Sequence, residues 1–342
     1  MATIFDVAAK AKVSVITVSR LLNNPKIVSS KTADKILRAM DELNYQPSQI
    51  ARSLVNKRTN TIGVIMPDIK NTFFNSWFRY IEDYAAAHDF NLLLCNTDSD
   101  PDIEMKYVKL LQSQRVDGVI IVPSSQKAVE YLMRSNLRFI LSDRVYKDLK
   151  TNYVTTDHYQ GAYDATEYLI KLGHKRIAVL KGPGVIFPDT ERYRGFEDAM
   201  IKYDLAIDSD IVINCEFNET KAFKATKDLL SRQRNKPTAL FSFNSLMTIG
   251  AIKAIQNMKL SIPKNISLLS FDEIPGYDIF DPKVTHVYQP VNLLGREAIV
   301  ALIDSIKKPD LQKKTKKYLK PRLIVGNSCI NLVSGQKLRE LP

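Results

Sequence analysis

Apolar residues recur along this chain in two rhythms, and the change falls near residue 60. In residues 3–24, TIFDVAAKAKVSVITVSRLLNN, positions Ile4, Val7, Ala8 and Ala11 fall at helical spacing, and Thr3 stands where it can cap that helix. Val13 follows as a buried pivot in a turn. Ser14 can cap a second helix whose inner face is Val18, Leu21 and Leu22. Val15, Ile16, Thr17, Ser19 and Arg20 then point elsewhere. Pro25 stops that helix, and Ser29 or Ser30 can cap a third one, running to about Asn44, with a core stripe of Ala33, Ile36, Leu37, Met40 and Leu43. The outer face of the second helix is small, hydroxylated and basic, which suits entry into a DNA major groove. An ordinary helical hairpin on a larger domain is the alternative.

Residues 45–55, YQPSQIARSLV, can begin a brief helix at Pro47 and Ser48. At about eight residues it is too short to be stable alone. Ile50, Ala51 and Leu54 would give it an apolar face with no core of its own. One reading is a hinge helix that orders only against a twin helix and DNA, with Leu54 as an apolar wedge in the minor groove. The other is a linker with some helical tendency.

From Thr61 short apolar runs alternate with amphipathic stretches. The runs are Ile62–Met66, Asn91–Cys95, Val119–Val122, Phe139–Ser142, Ile177–Leu180, Ala239–Phe243 and Ser267–Phe271. Between them lie Phe74–Ala87, Glu104–Gln114, Gly161–Leu172, Tyr193–Tyr203, Thr220–Arg232 and Leu246–Met258. This alternation predicts parallel sheets with right-handed crossovers, and the length predicts two similar lobes. Ligands of open α/β sheets bind beyond the carboxyl ends of strands. The residues just past the runs are polar: Asn71 with Phe73 and Phe74, Ser124-Ser125, Asp143-Arg144, Asn244-Ser245 and Asp272-Glu273, with Gln289 after Val287-Tyr288 and Arg192 starting a helix. Planar polar groups with flanking rings suit a sugar, whose vicinal hydroxyls take paired hydrogen bonds and whose CH faces pack on aromatics. The competing account is that each polar residue only caps the next helix.

Charge sharpens the division. Of the net +12, residues 1–60 hold +6 and residues 307–322 hold +7, which leaves the rest at −1. A basic small domain on a neutral large one implies a polyanionic partner for the small one; the second basic cluster reads as a solvated loop and strand edge. Cys95, Cys215 and Cys329 lie far apart and form no CxxC pair, which argues against a disulfide framework or a zinc site. No apolar run approaches the roughly 20 residues that span a bilayer, and no signal-peptide core opens the chain, so a cytoplasmic protein is expected. GxGxxG after a strand, GxxxxGK[ST], GxSxG and HExxH are absent, and Gly182-Pro183-Gly184 reads as a turn, so an enzyme is not expected. His174 fits a structural turn.

Residues 3–24 resemble the head motif of the lactose-repressor (LacI/GalR) family, T-I-x-D-V-A-x-x-A-x-V-S-x-x-T-V-S-R-x-L-N, and Tyr45, Pro47, Ala51 and Leu54 match its hinge motif. The core resembles the periplasmic sugar-binding-protein fold in G-V-I-x-P-D at Gly63 to Asp68, D-G-V-I at Asp117 to Ile120, L-G-H-K-R-I at Leu172 to Ile177, R-x-x-G-F at Arg192 to Phe196 and P-T-A at Pro237 to Ala239. The resemblance implies an all-α helix-turn-helix head over 1–46, a hinge helix and linker over 47–60, and an α/β core over 61–342. That core would hold two doubly wound parallel-sheet lobes, 61–157 with 290–322 and 158–289 with 323–342. It further implies a homodimeric repressor of transcription that binds double-stranded operator DNA under control of a small carbohydrate, with no cofactor, metal or membrane. Carried over by position, Val15, Ile16 and Arg20 face base edges. Thr3, Ser14, Thr17, Asn23, Ser29 and Thr32 lean on phosphates or adjacent backbone, and Ile50, Ala51 and Leu54 form the hinge contact. Asn71, Phe73, Phe74, Asp143, Arg144, Arg192, Phe217, Asn244, Asp272 and Gln289 form the effector pocket, and Asn71-x-Phe73-Phe74 with Asp143-Arg144 resembles the pentose or hexose binders rather than the purine-binding members. The chain departs from the pattern at Lys12, where the family often has a turn glycine, and at Val55, Ser245 and Glu273. Two rival readings share these features. One is a catabolite-control-type regulator whose effector is a partner protein or a phosphorylated metabolite. The other is a carbohydrate enzyme or plain sugar-binding protein with an added head.

Overall fold

The structure, a computed structural model, describes residues 2–23, 27–46, 58–232, 234–279, 281–308 and 314–334, with the backbone alone at Asn23. The hinge expectations for Ile50, Ala51 and Leu54 lie outside the described residues. The chain divides at Asn60 into two compact units.

The first unit holds α1 (Ile4–Ala11), α2 (Val15–Asn23) and α3 (Ser30–Glu42). Thr3 and Asp6 form a capping box: the Thr3 amide donates to Asp6 Oδ2 (2.8 Å) and the Asp6 amide to Thr3 Oγ1 (3.4 Å). Ser14 Oγ accepts from the Thr17 amide (3.1 Å) and so starts α2. Val7, Ala8, Ala11, Val18, Leu21, Ile36 and Ala39 make one core. Two expectations shift here. Leu37, placed in the core stripe by spacing, is half-exposed, and Ala39 fills that position. Val15 is half-buried against the same core rather than fully outward.

The second unit carries two six-stranded sheets. The first has the order β11-β5-β4-β3-β1-β2, built from β1 (Thr61–Met66), β2 (Asn91–Asn96), β3 (Gly118–Ile121), β4 (Phe139–Ser142), β5 (Tyr153–Thr156) and β11 (Lys316–Leu319), and every pairing in it is parallel. The second has the order β12-β10-β9-β8-β6-β7, from β6 (Ile177–Lys181), β7 (Val212–Asn214), β8 (Ala239–Ser242), β9 (Ser267–Phe271), β10 (Thr285–Tyr288) and β12 (Arg322–Ile324), with only β12 antiparallel. Both are the doubly wound lobes expected from the alternation. In the first lobe the crossovers are α4 (Thr72–Ala86), α5 (Pro101–Ser113) and α6 (Gln126–Arg134); in the second they are α8 (Phe187–Lys202), α9 (Glu219–Leu230) and α10 (Ser245–Asn257). Helix α7 (His158–Lys171) carries the chain from the first sheet to the second, and α11 (Val291–Lys307) carries it back. Helices α6 and α11 and strands β5, β7, β10, β11 and β12 stand outside the predicted set.

The inner strands β1, β3, β4, β5, β6, β8, β9 and β10 are buried on both faces, as parallel strands between helix layers must be, while the edge strands β2, β7, β11 and β12 are more open. Close helix packing requires glycine at Gly195, where a Cβ would fall 2.3 Å from the Tyr159 carbonyl oxygen. No helix among the described residues is long and apolar enough to cross a membrane. Burial pushes the Cys95, Cys215 and Cys329 thiols up to about 11, which makes them poor nucleophiles near neutrality.

Candidate functional site

The polar residues at the strand ends do both things the sequence allowed. Several cap helices. Asn71 Oδ1 accepts from the Phe73 amide (3.0 Å) and Asn244 Oδ1 from the Met247 amide (2.8 Å). Ser125 caps α6, while the fully buried Glu104 carboxylate takes the Ser124 amide (2.5 Å), the Ser125 amide (3.0 Å) and the Ser125 hydroxyl (2.8 Å). The Gly182-Pro183-Gly184 turn is closed in the same way: Asp189 accepts from the Gly182 amide (2.5 Å) and the Gly184 amide (2.8 Å), so its own carboxylate fills the place an external anion would take.

The others converge. Asp143 and Arg144 follow β4 and are buried; the Asp143 backbone lies in the left-handed region (φ 61), its carbonyl held by the Thr155 hydroxyl (2.6 Å). Asp143 Oδ1 lies 3.4 Å from His158 Nε2. On the far side of that ring, Arg192 reaches His158 Nδ1 with Nη2 (3.2 Å) and Nε (3.4 Å). Arg192 Nη1 also donates to the Phe243 carbonyl, and the guanidinium lies 3.7 Å above the centre of the Phe271 ring. Asp272, again in the left-handed region (φ 76), sits 4.0 Å from Arg192 and accepts from Gln289 Nε2 (2.5 Å). Asp143 comes from the first lobe, His158 from the crossover helix, and Arg192, Asp272 and Gln289 from the second.

Every member is at least nine-tenths buried, so electrostatics here act in a poor solvent. Burial alone would raise the Asp143 carboxyl, but the His158 contact and the Arg192 and Arg144 charges outweigh it, and the group stays below the usual carboxylate range. Burial and then the Arg192 charge lower His158, which is therefore neutral near pH 7. Burial raises Asp272, against the pull of Arg192 and Gln289. Asp143 Oδ1, Arg144 Nη1, His158 Nε2, Gln289 Oε1 and Ser124 Oγ are buried without a hydrogen-bond partner. Such atoms cost about 1–3 kcal/mol each unless something satisfies them. Beside them, a cavity of about 280 Å³ is lined by Ser124, Arg144 and Tyr146 from the first lobe and by Ile186, Phe187 and Glu191 from the second. A larger cavity of about 460 Å³ lies at the amino end of β9 and β10, away from this cluster, and is lined chiefly by Ile252, Leu260, Ile262, Pro263 and Val284.

The remaining expected pocket residues divide by role. Phe74 is buried in the first lobe's core with its ring edge-on to Phe73 (5.2 Å), which is left half-buried. Phe217 packs over Gly182, where a Cβ would lie 2.4 Å from its ring. His158, Phe187 and Phe271 belong to the cluster but not to the expected set. His158 obeys the same rule as the others, since it stands just past the end of β5.

In the head unit, Ser14, Ile16 and Arg20 are exposed on α2, with Ile16 at 64%. Thr17 is half-buried and its Oγ1 pairs with Ser14 Oγ (2.8 Å). Thr3 and Ser29 are exposed, Thr32 is half-buried, and Ser29 Oγ donates to Thr32 Oγ1 (2.9 Å). An exposed isoleucine beside an exposed arginine on a capped helix is a surface waiting for a partner.

Comparison with known proteins gives this geometry a lineage. Residues 3–48 match the family profile described as bacterial regulatory proteins, lacI family, and residues 59–323 match that of periplasmic binding proteins and the sugar binding domain of the LacI family. The ribose operon repressor of Halalkalibacterium halodurans is 37% identical over 95% of this chain and 96% of its own length. The transcriptional repressor PurR of Aliivibrio fischeri is 33% identical over 97% and 99%. Among solved structures, the lac repressor dimer bound to operator and the anti-inducer ONPF superposes with a TM-score of 0.84 at 26% identity, covering 96% of this chain and 99% of that one. A LacI family regulator from Enterococcus faecium with bound ribose gives 0.72 at 30% identity, covering 79% and 99%.

Proposed function

The chain belongs to the LacI family of bacterial regulatory proteins, and from that membership we propose that it is a homodimeric repressor of transcription whose hold on operator DNA is set by a sugar in the cleft between its lobes. Acting on the chromosome places it in the cytoplasm. The observation that carries the sugar is the buried cluster at the strand ends, where Asp143, Arg144, His158 and Gln289 keep unpartnered donors and acceptors at the junction of the lobes. The cluster sets two arginines against two aspartates, so it is close to neutral and favours an uncharged polyol over a phosphate ester. Arg144, Asp143, Asp272 and Gln289 supply planar groups for vicinal hydroxyls, and half-buried Phe73 supplies a ring for a CH face. The ribose of the Enterococcus faecium regulator and the ribose operon controlled by the Halalkalibacterium halodurans relative make D-ribose the first sugar to try.

In the head, Ile16 and Arg20 read base edges, and Val15 supports them from the rim of the core. Thr3, Ser14, Thr17, Asn23, Ser29 and Thr32 steady the phosphates; Ile50, Ala51 and Leu54 make the hinge contact. A sugar that bridges both lobes favours one lobe arrangement, and operator affinity changes with it.

The test is a panel of pentoses and hexoses read by thermal shift and by operator binding. A ligand at about 100 times its Kd adds roughly 2.7 kcal/mol to the stability of the form that binds it. One sugar is expected to raise the melting temperature and, at the same concentrations, to change operator affinity. An unchanged melting temperature across the panel, with operator binding intact, would remove the sugar from the reading and leave the regulator.

A further inference from the structure

His158 sits at the centre of the cluster and is assigned no role by the sequence pattern. Its surroundings fix its chemistry. Arginine has five N–H donors and no acceptor. The two Arg192 nitrogens at 3.2 and 3.4 Å from Nδ1 therefore require Nδ1 to be the bare, accepting nitrogen. Phe187 and Phe271 flank the ring at 6.1 and 5.8 Å between centroids and confine its orientation. A neutral imidazole with bare Nδ1 carries its proton on Nε2, which faces Asp143 Oδ1 at 3.4 Å. That distance is too long for a well-formed hydrogen bond, and both atoms are buried without a partner. A donor and an acceptor thus stand side by side, unsatisfied.

We propose that His158 is a specificity-determining residue of the effector site: Arg192 holds it as the Nε2–H tautomer, and its Nε2–H with Asp143 Oδ1 takes one hydroxyl of the ligand, donating to the hydroxyl oxygen and accepting the hydroxyl proton. This rests on the sugar reading above. A hydroxyl is the group that both accepts and donates from a single atom, so it satisfies the pair at once, whereas an ether or carbonyl oxygen leaves Asp143 unpaired and an ammonium leaves Nε2–H unpaired. No proton is transferred and no bond is made or broken. The pair discriminates against a ligand lacking that hydroxyl because both buried groups then stay unpaired.

The experiment has one arm without ligand and one with it. In the ligand-free full chain, long-range ¹H–¹⁵N spectra of the histidine rings report the tautomer, and the His158 signals are those missing from His158→Asn. Nε2–H is expected; a proton on Nδ1 overturns the proposal. In the second arm, D-ribose and its five monodeoxy analogues (1- to 5-deoxy) are titrated by calorimetry into the wild type, His158→Phe and His158→Gln. Glutamine can place its amide N–H where the imidazole carries Nε2–H, so His158→Gln should recover much of the D-ribose affinity that His158→Phe loses. His158→Phe keeps an aromatic ring and loses both nitrogens, and should bind roughly tenfold or more weakly. One deoxy analogue should bind His158→Phe as well as D-ribose does, while binding the wild type much more weakly than D-ribose. If every deoxy penalty persists undiminished in His158→Phe, or if glutamine fails where phenylalanine fails, His158 only packs. Should His158→Phe not fold, the glutamine result and the tautomer still decide. If no pentose binds the wild type, the sugar reading falls separately and the tautomer alone judges His158.

Discussion

Gly195 joins helix packing to the proposed effector cluster, so replacing it by alanine tests both. The Cβ of Gly195→Ala would lie 2.3 Å from the Tyr159 carbonyl oxygen and 2.9 Å from the Tyr163 amide nitrogen, both backbone atoms of α7. Ordinary contact begins near 3.4 Å, so α7 and α8 must separate locally by about 1 Å. Arg192 lies one turn before Gly195 on α8, and His158 precedes Tyr159 on α7. The Arg192–His158 contact, now 3.2 Å, would then exceed about 4 Å and cease to be a hydrogen bond. Overpacking costs about 1–3 kcal/mol, and the gain in helix propensity returns about 1, so a net loss of up to about 2 kcal/mol is expected. For a unit of this size that lowers the melting temperature by up to roughly 8 °C. Losing a charge-assisted contact in the site should weaken the sugar roughly tenfold to a hundredfold. Calorimetric unfolding and a titration with the sugar chosen by the panel read the two effects. Gly326→Ala is the control: its Cβ would lie 2.1 Å from the Lys283 carbonyl, beside Thr285 at the start of β10, the end of the second sheet away from Gln289. It should destabilise without weakening the sugar. Sugar affinity in Gly195→Ala within twofold of wild type would refute the link between this helix contact and the site.

The caps and buried groups give two further expected outcomes. Lys12 holds the C-cap of α1 at φ 55 and ψ 46, a left-handed conformation that costs a non-glycine residue about 1 kcal/mol, so Lys12→Gly should slow hydrogen exchange at the Val7 and Ala8 amides by roughly fivefold; unchanged or faster exchange would count against it. His174, fully buried with Nδ1 2.9 Å from Thr238 Oγ1, is held down to about 4 by burial, against an ordinary value near 6.5. A lowered histidine is neutral in the fold, so the unfolded chain binds the proton first and stability is lost as pH falls from above 6.5 toward 4. Between pH 7.5 and 5 the wild type should lose about 2 kcal/mol that His174→Asn retains, measured by denaturant unfolding at each pH; equal slopes would show that His174 is not the titrating group.

Much of the fold is legible in the chain because the physics is local. Seven apolar runs became strands of the two sheets; six of them are buried on both faces and so must be apolar throughout, while β2 is an edge strand with Leu93 and Leu94 exposed. Asp143, Arg144, Asp272 and Gln289 stand out because each breaks an apolar run at its carboxyl end, and Arg192 because it shares a helix with Gly195 and Phe196. His158 escaped because β5 reads Tyr-Val-Thr-Thr and looks half polar. Thr155 tolerates burial only because its hydroxyl donates to the Asp143 carbonyl, a contact between strands that no local pattern carries. Helix α11 escaped although its period is plain: Leu294, Ala298, Ile299, Leu302, Ile303 and Ile306 are buried at helical spacing, while Asn292, Arg296, Asp304 and Lys307 are exposed. Leu37 fits the spacing of a core stripe yet is half-exposed, because the three-helix core is too small to cover the whole of α3.

The cluster also says why a ligand here would act at a distance. Its chain of contacts runs from Asp143 through His158 to Arg192 and on toward Asp272, crossing from one lobe to the other through α7. Lys147 crosses the same boundary, pairing with Glu191 at 3.0 Å and standing 5.2 Å from the Phe187 ring centre. A pair partly open to solvent contributes little, about 0–1 kcal/mol, whereas the buried chain is incompletely satisfied. A ligand that completes it gains only in the arrangement that brings Asp143 and Arg192 to the same ring. If that completion is worth about 3 kcal/mol, the ratio of the two lobe arrangements shifts by roughly 150-fold. A ligand touching one lobe alone would bind both arrangements equally and shift nothing, however tightly it bound. On the proposed reading, regulation would depend on the residue that joins the lobes, and His158 holds that position.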